Sequence, residues 1–213
     1  MPEPGEAPVS AIRVHLASRN AKKIAEMERI LLEHLPGVEV VGLDDVPAYD
    51  EPVEDDPTFA GNALIKARAG LTATGLATVA DDSGLCVDAL NGMPGVLSAR
   101  WSGLSKDDDR NNELLLAQLA DVPDERRGAH FTCAVAVVTP EGRELVVEGR
   151  MDGTLIREVR GAGGFGYDVL FVADDHPGLS TAELSREEKD AISHRGHALR
   201  ALAPQLPALL NGG

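Results

Sequence analysis

IRVHLASRNAKKIAEMERILLEHLPGVEVVG, residues 12–42, decides the fold class. Ile12, Val14 and Leu16 alternate as in a strand, and SRNAKK (18–23) turns into a helix. That helix carries Ile24, Met27 and Leu31 on one face, and Pro36-Gly37 stops it. VEVVG (38–42) is a second short strand, so the stretch is a βαβ unit with parallel strands. Beyond it, an acidic loop through 43–57 leads to a helix with Ala60, Leu64, Ala67 and Leu71 on one face. Strand LATVA (76–80) is expected to end in a turn at Asp81-Asp82-Ser83-Gly84. A Gly/Pro-rich loop (90–103) follows, then a helix over about 106–120 with Ser105 as N-cap. HFTCAVAVV (130–138), a turn at Pro140-Glu141-Gly142 and ELVVEG (144–149) read as a hairpin, and residues 150–160 continue its sheet. GAGGFG (161–166) leads into a strand YDVLFV (167–172), and a helical region begins near 185, where Ser185 and Glu188 have capping-box spacing. Parallel βαβ units beside an antiparallel hairpin predict an α/β fold built on a mixed sheet.

Composition narrows the functional classes. With 43% hydrophobic residues in 213, the chain can bury a full core and is too apolar for a disordered segment. Its apolar runs fall far short of the roughly 20 residues that span a bilayer. The opening MPEPGEAPVS lacks a basic n-region and an apolar core, so no secretory signal is expected. Residues 1–8 read as a frayed tail ahead of a single domain over 9–211. Cys86 and Cys133 sit in apolar stretches without metal-ligand spacing, as reduced thiols of a cytoplasmic protein would. A net charge of −15 excludes a general nucleic-acid binder, which needs a basic face. An anionic ligand would have to be held by local cations or a metal against that field.

Some motifs fail on context. GAGGFG fits the G-x-G-x-x-G dinucleotide pattern, but it precedes a strand, where no helix N-terminus could receive a pyrophosphate. Walker, nucleophile-elbow, zincin and kinase signatures are missing.

Four polar clusters remain. Ser18, Arg19, Asn20, Ala21, Lys22 and Lys23 bring three cations to a helix start, where the macrodipole disfavours them. With exposed N–H groups they make an anion pocket, unless Ser18 or Asn20 is simply the cap of a solvated turn. Asp81 and Asp82 repel each other unless a cation intervenes, and oxygen ligands suit Mg²⁺, with Mn²⁺ as substitute. A plain Asx-turn is the simpler reading. Phe165, Gly166, Tyr167 and Asp168 concentrate aromatics in a chain with only 3% of them. Flanking glycines let a flat ligand reach Phe165, while Tyr167 and Phe171 suit the core. Lys189, His194 and Arg195 complete the set, or else form a solvated helix face. Four such clusters at element ends look like one site.

In order along the chain, SRNAKK, TFAGNALIKA, ADDSGL, GGFGYD and EEKDAISHRG closely resemble the inosine-triphosphate pyrophosphatase family. These enzymes hydrolyse deaminated purine triphosphates (dITP, ITP, XTP) to the monophosphate and pyrophosphate. The resemblance covers about residues 12–202. It implies an elongated mixed sheet with flanking helices, two lobes around a central cleft, a Mg²⁺ requirement and a cytoplasmic homodimer. Ser18, Asn20 and Lys23 match the family's phosphate-binding residues, and Asp82 its metal-associated proton acceptor. Ser83, Phe165 through Asp168, Lys189, His194 and Arg195 match nucleotide contacts. Lys66 is taken with Asp82 as a catalytic residue, and with Lys23, the helix N-terminus and Mg²⁺ it offsets triphosphate charge. Two departures touch the acidic surroundings. Where the family often shows two glutamates ahead of T-F, this chain reads Val53-Glu54-Asp55-Asp56, with Glu54 the chosen second metal ligand and Asp55 or Asp56 as substitutes. Gly61 stands where Glu is common. Arg195, which carries only donors, or else a backbone N–H, is expected to pair with a 6-oxo group and reject adenine. What rejects the 2-amino group of guanine is left open. Hydrolysis of other modified or pyrimidine triphosphates, and a binding sensor without turnover, are the competing functions.

Overall fold

The structure is a computed structural model that describes residues 12–18, 24, 25, 27–29, 32 and 37–211. The readings on residues 1–8, Arg19, Asn20, Ala21, Lys22, Lys23 and Leu31 lie outside the described residues. Strands β1 (Ile12–Leu16), β2 (Val38–Val41), β3 (Ala77–Val87), β4 (Gly128–Val138), β5 (Glu144–Leu155) and β6 (Phe171–Ala173) form one sheet in the order β2-β1-β3-β4-β5-β6. β1 runs parallel to both β2 and β3, while the other neighbours are antiparallel. The described residues of 24–32 are helical, as a βαβ crossover requires. The mixed α/β sheet is therefore borne out.

Helix α1 (Phe59–Thr74) starts at Thr58, whose hydroxyl accepts the Gly61 N–H, and ends at Gly75. It buries Ala63 and Ala67 against Ala80, Ala134 and Ala136 of the sheet, with Leu64 and Leu71 at the margin. Small side chains on both surfaces bring helix and sheet close together. Helix α2 (Asp108–Gln118) buries Leu115 against Leu85, Phe131 and Leu155. Its cap is Asp107, not Ser105; a carboxylate accepting the Arg110 N–H at 3.1 Å starts the helix two residues later than expected. Helices α3 (Arg186–Ile192), α4 (His194–Leu202) and α5 (Leu206–Asn211) close the chain. Ser185 and Glu188 form the expected capping box of α3. Ser193 caps α4, which packs Ala198, Leu199 and Leu202 on the face opposite α1.

Two further sequence expectations are corrected. Asp81-Asp82-Ser83-Gly84 is not a turn after a short strand, because β3 runs unbroken from Ala77 to Val87. Its partner β4 is equally long and pairs with it from Thr78↔Val138 through Val87↔Ala129, leaving no place for a turn. Likewise YDVLFV is not one strand. Residues Gly166–Leu170 form a 3-10 turn, and strand begins only at Phe171. Tyr167 and Phe171 nevertheless share a core cluster, as expected.

Candidate functional site

Strand alternation decides what the two adjacent carboxylates do. Successive residues of β3 face opposite sides of the sheet, so Asp81 and Asp82 point away from each other. Repulsion between them is relieved by geometry, and each meets its own protein cation.

Asp82 faces α1. Its Oδ1 accepts from Lys66 Nζ at 3.2 Å, and its Oδ2 from Asn62 Nδ2 at 3.3 Å. The same ammonium donates to Glu54 Oε2 at 2.8 Å, joining the acidic loop to the sheet. Burial works against a charged Lys66, but the carboxylates of Asp82, Asp81 and Glu54 outweigh it and raise its pKa. The lysine is therefore cationic at neutral pH. Glu54, Lys66 and Asp82 wall a cleft of about 600 Å³ that also holds Ser18, Tyr49, Asp81 and Ser83. Ser18, Glu54, Lys66, Asp82 and Ser83, expected at one site, do meet there.

Of the three acidic candidates at 54–56, Glu54 is the one that lines this cleft. Asp56 is engaged at the start of α1, where its Oδ1 accepts from the Thr58 N–H at 2.8 Å and from the Thr58 hydroxyl at 2.6 Å. A Cβ at Gly61 would lie 1.9 Å from the Asp56 carboxyl carbon. The missing Glu at 61 thus has a physical counterpart: Asp56 fills that space with a carboxylate of its own.

Asp81 faces α4. Arg195 Nε and Nη2 donate to Asp81 Oδ2 at 3.3 and 3.2 Å, and Nη2 also donates to Ser83 Oγ at 3.1 Å. Both side chains are almost wholly buried, at 2% and 1% exposure. They stand between two apolar clusters, one around Val79, Val135 and Leu199 and the other around Leu85, Phe131 and Phe171. Burial of the charges is tolerated because they are paired and hydrogen-bonded.

Arg195 also connects the cleft to the glycine-flanked turn, its guanidinium carbon lying 6.0 Å from the Phe165 ring centre. Lys189 Nζ sits 5.1 Å from that centre and donates to Asp168. Asp168 in turn accepts the Phe165 N–H at 2.8 Å and the Thr181 hydroxyl at 3.0 Å. Phe165, Asp168, Lys189 and Arg195 therefore come together as expected. Tyr167 turns inward instead: it is 4% exposed and its hydroxyl donates to the Ser98 carbonyl at 2.9 Å. His194 is no solvated helix residue either. It is 7% exposed and its ring stacks on Phe131 at 4.9 Å. Gly166 lies in the turn with its backbone held from α2.

Sequence reasoning missed several polar residues that shape these walls. Tyr49 lines the cleft and its hydroxyl donates to Nε2 of the buried His15 at 2.9 Å, because Nδ1 donates to the Val41 carbonyl at 3.0 Å. Asn62 also accepts the Asp56 N–H at 3.0 Å, which fixes its amide toward Asp82. On α2, Asn111 holds the Ser102 N–H and the Ala99 carbonyl, while Asn112 holds the Gly166 carbonyl. Buried asparagines within a helix, where propensity disfavours them, were the available signal.

Mg²⁺ suits this donor set. Glu54 and Asp82 offer hard carboxylate oxygens that lie 2.8 and 3.2 Å from the same Lys66 ammonium, near enough to each other to share a cation. Mg²⁺ commonly takes one or two carboxylates, keeps waters and adds substrate phosphates. Among the described residues no group of three or more His, Cys, Asp or Glu stands ready as an all-protein cage.

Residues 14–205 match the profile of the Ham1 family. The chain is 63% identical over 198 residues to a dITP/XTP pyrophosphatase of Nocardia farcinica, covering 92% of this chain and 96% of that protein. With a dITP/XTP pyrophosphatase of Corynebacterium efficiens it shares 58% over 204 residues, covering 93% and 99%. Its fold matches the solved nucleoside-triphosphatase / dITP/XTP pyrophosphatase from Mycobacterium abscessus with a TM-score of 0.74 at 60% identity, over 92% of this chain and 99% of that one. A HAM1 protein from Coxiella burnetii gives a TM-score of 0.81 at 39% identity, over 92% and 98%.

Proposed function

The chain belongs to the Ham1 family, and from that premise we propose that it hydrolyses deaminated purine nucleoside triphosphates, dITP and XTP among them and ITP as well, to the monophosphate and pyrophosphate. The observation that carries the reading is a junction. A cleft with a carboxylate–lysine–carboxylate cluster is connected through Arg195 to a half-buried aromatic ring. The first half suits a triphosphate and the second a base.

Hydrolysis to pyrophosphate requires water to attack the α-phosphorus. Asp82 is the group to orient that water and take its proton, and Asn62 and Lys66 hold its carboxylate in place. Lys66 also brings positive charge to the phosphates in a protein whose net charge opposes them. Glu54 and Asp82 would hold Mg²⁺, which when bound supplies charge neutralisation on the phosphate oxygens. Phe165 stacks the base without regard to its edge, and donors near it favour a 6-oxo acceptor over an adenine amine. The cytoplasmic homodimer rests on the family resemblance. Among the described residues no helix is long and apolar enough to cross a membrane.

With Mg²⁺ present, the purified protein is expected to release pyrophosphate from dITP, ITP and XTP in strong preference to the standard triphosphates. Orthophosphate as the first product, or equal rates on dATP and dGTP, would overturn the reading. Binding without turnover would leave a sensor. EDTA is expected to abolish the activity and Mg²⁺ or Mn²⁺ to restore it. Glu54→Gln should raise the Mg²⁺ concentration giving half-maximal rate by about tenfold, the scale on which one lost carboxylate matters. A Glu54→Gln protein with an unaltered Mg²⁺ titration would shift the second ligand to Asp55 or Asp56.

A further inference from the structure

We infer that helix α2 positions the base-holding turn, through a two-point grip of Asp108 and Asn112 on the single residue Gly166. The inference rests on the proposal that Phe165 holds the base. Gly166 has a φ of +62°, a left-handed conformation that few other residues adopt without strain. Both polar groups of its backbone are taken by one face of α2. Asp108 Oδ2 accepts its N–H at 2.8 Å, and four residues on, Asn112 Nδ2 donates to its carbonyl at 3.0 Å.

Neither residue is needed for the helix itself. Asp107 already caps α2, so Asp108 is available to the turn, and a carboxylate in the first helical turn is favoured by the dipole. The Asp108 bond is charge-assisted, hence the stronger of the two. Asn112 is 96% buried, committing its amide to the contact. The grip is rigid because α2 is: Leu115 is fully buried in the core, and neighbouring Asn111 ties the helix to the cleft wall at Ala99 and Ser102. Phe165 is adjacent to the gripped residue and has its own N–H held by Asp168. Its ring is therefore set from two directions, and a loosened Gly166 would let it wander from the base plane. Positioning of this kind appears in KM for substrates with a base, not in the phosphate half or the chemical step.

Asp108 is exposed, so Asp108→Ala should fold normally, with Tm lowered by no more than about 2–4 °C. Its KM for dITP is expected to rise about three- to tenfold, the scale of one charge-assisted hydrogen bond, with kcat within about twofold. Inhibition by inorganic tripolyphosphate, which has no base, should be unaltered. Asp108→Asn keeps an accepting oxygen and should restore most of the KM. Asn112→Asp, which turns a carboxylate oxygen on the Gly166 carbonyl, should move KM in the same direction as Asp108→Ala. An unchanged KM in both Asp108→Ala and Asn112→Asp overturns the grip, as does equal weakening of dITP and tripolyphosphate. Phe165→Ala separates the two levels. If it leaves KM for dITP unchanged, the base-binding proposal itself fails; if it raises KM while the α2 variants do not, only the grip fails.

Discussion

Asp82→Asn is expected to lower kcat for dITP by at least about a hundredfold, the scale of a lost general acid–base group, while retaining the fold and nucleotide binding. The substitution removes charge and basicity with almost no change of shape. Its local consequences follow from the contacts. Lys66 donates to one carboxylate oxygen and Asn62 to the other, so an amide here must set its own N–H₂ against one of those donors. Asn62 cannot relieve the conflict by turning over, because its Oδ1 already accepts the Asp56 N–H. The expected stability loss is about 1–2 kcal/mol, that of one buried hydrogen-bonding mismatch. Single-turnover rates with saturating dITP, read beside Kd and urea unfolding, separate chemistry from both. Turnover within about threefold of the parent would take Asp82 out of the mechanism, a loss too small for proton transfer.

The same strand shows why part of the site was legible and part was not. The βαβ unit, the long hairpin and the Ser185 capping box are local patterns, and the structure reproduces them. ADDSG is also local, but two carboxylates, a serine and a glycine carry the polarity of a turn. Their burial in mid-strand depends on cations 16 and 114 residues away, Lys66 for Asp82 and Arg195 for Asp81. Without those partners in view, period-two alternation is overridden by the cost of burying charge. A strand ended at Ala80 makes the two carboxylates share one cation, whereas the full-length β3 turns them toward two. A similar lesson applies to α2: Ser105 has the polarity of a cap, but the backbone turns into the helix two residues later, where the Asp107 carboxylate takes that role. Clustering of Phe165, Asp168, Lys189 and Arg195 was readable because each stands out chemically from its surroundings. Tyr49, Asn62 and Asn112 were not, since a single tyrosine or asparagine acquires meaning only from what it faces.

Arg195→Ala is expected to destabilise the protein by about 3–5 kcal/mol, because it strips a buried carboxylate of its cation. Arg195 and Asp81 are nearly inaccessible to water, so little solvent can replace the guanidinium, and the carboxylate is left between two apolar clusters. Urea unfolding at pH 7 measures the loss; a change under about 1 kcal/mol would mean that the pair is not the bolt between those clusters. Removing both charges should be milder than removing one, so Asp81→Leu combined with Arg195→Leu is expected to recover part of the stability. This structural duty bears on base selection. The same guanidinium is proposed to meet a 6-oxo group, worth roughly 1–3 kcal/mol of preference for dITP over dATP. In Arg195→Ala a collapsed waist would disturb every substrate and hide that preference. Arg195→Lys separates the duties: an ammonium can still neutralise Asp81, but it lacks the planar fork that could serve Asp81, Ser83 and a base together. Most of the stability should therefore return in Arg195→Lys, while its kcat/KM ratio for dITP over dATP stays reduced. A ratio equal to the parent's would assign Arg195 to the ion pair alone and leave the 6-oxo group to the backbone around Phe165–Asp168.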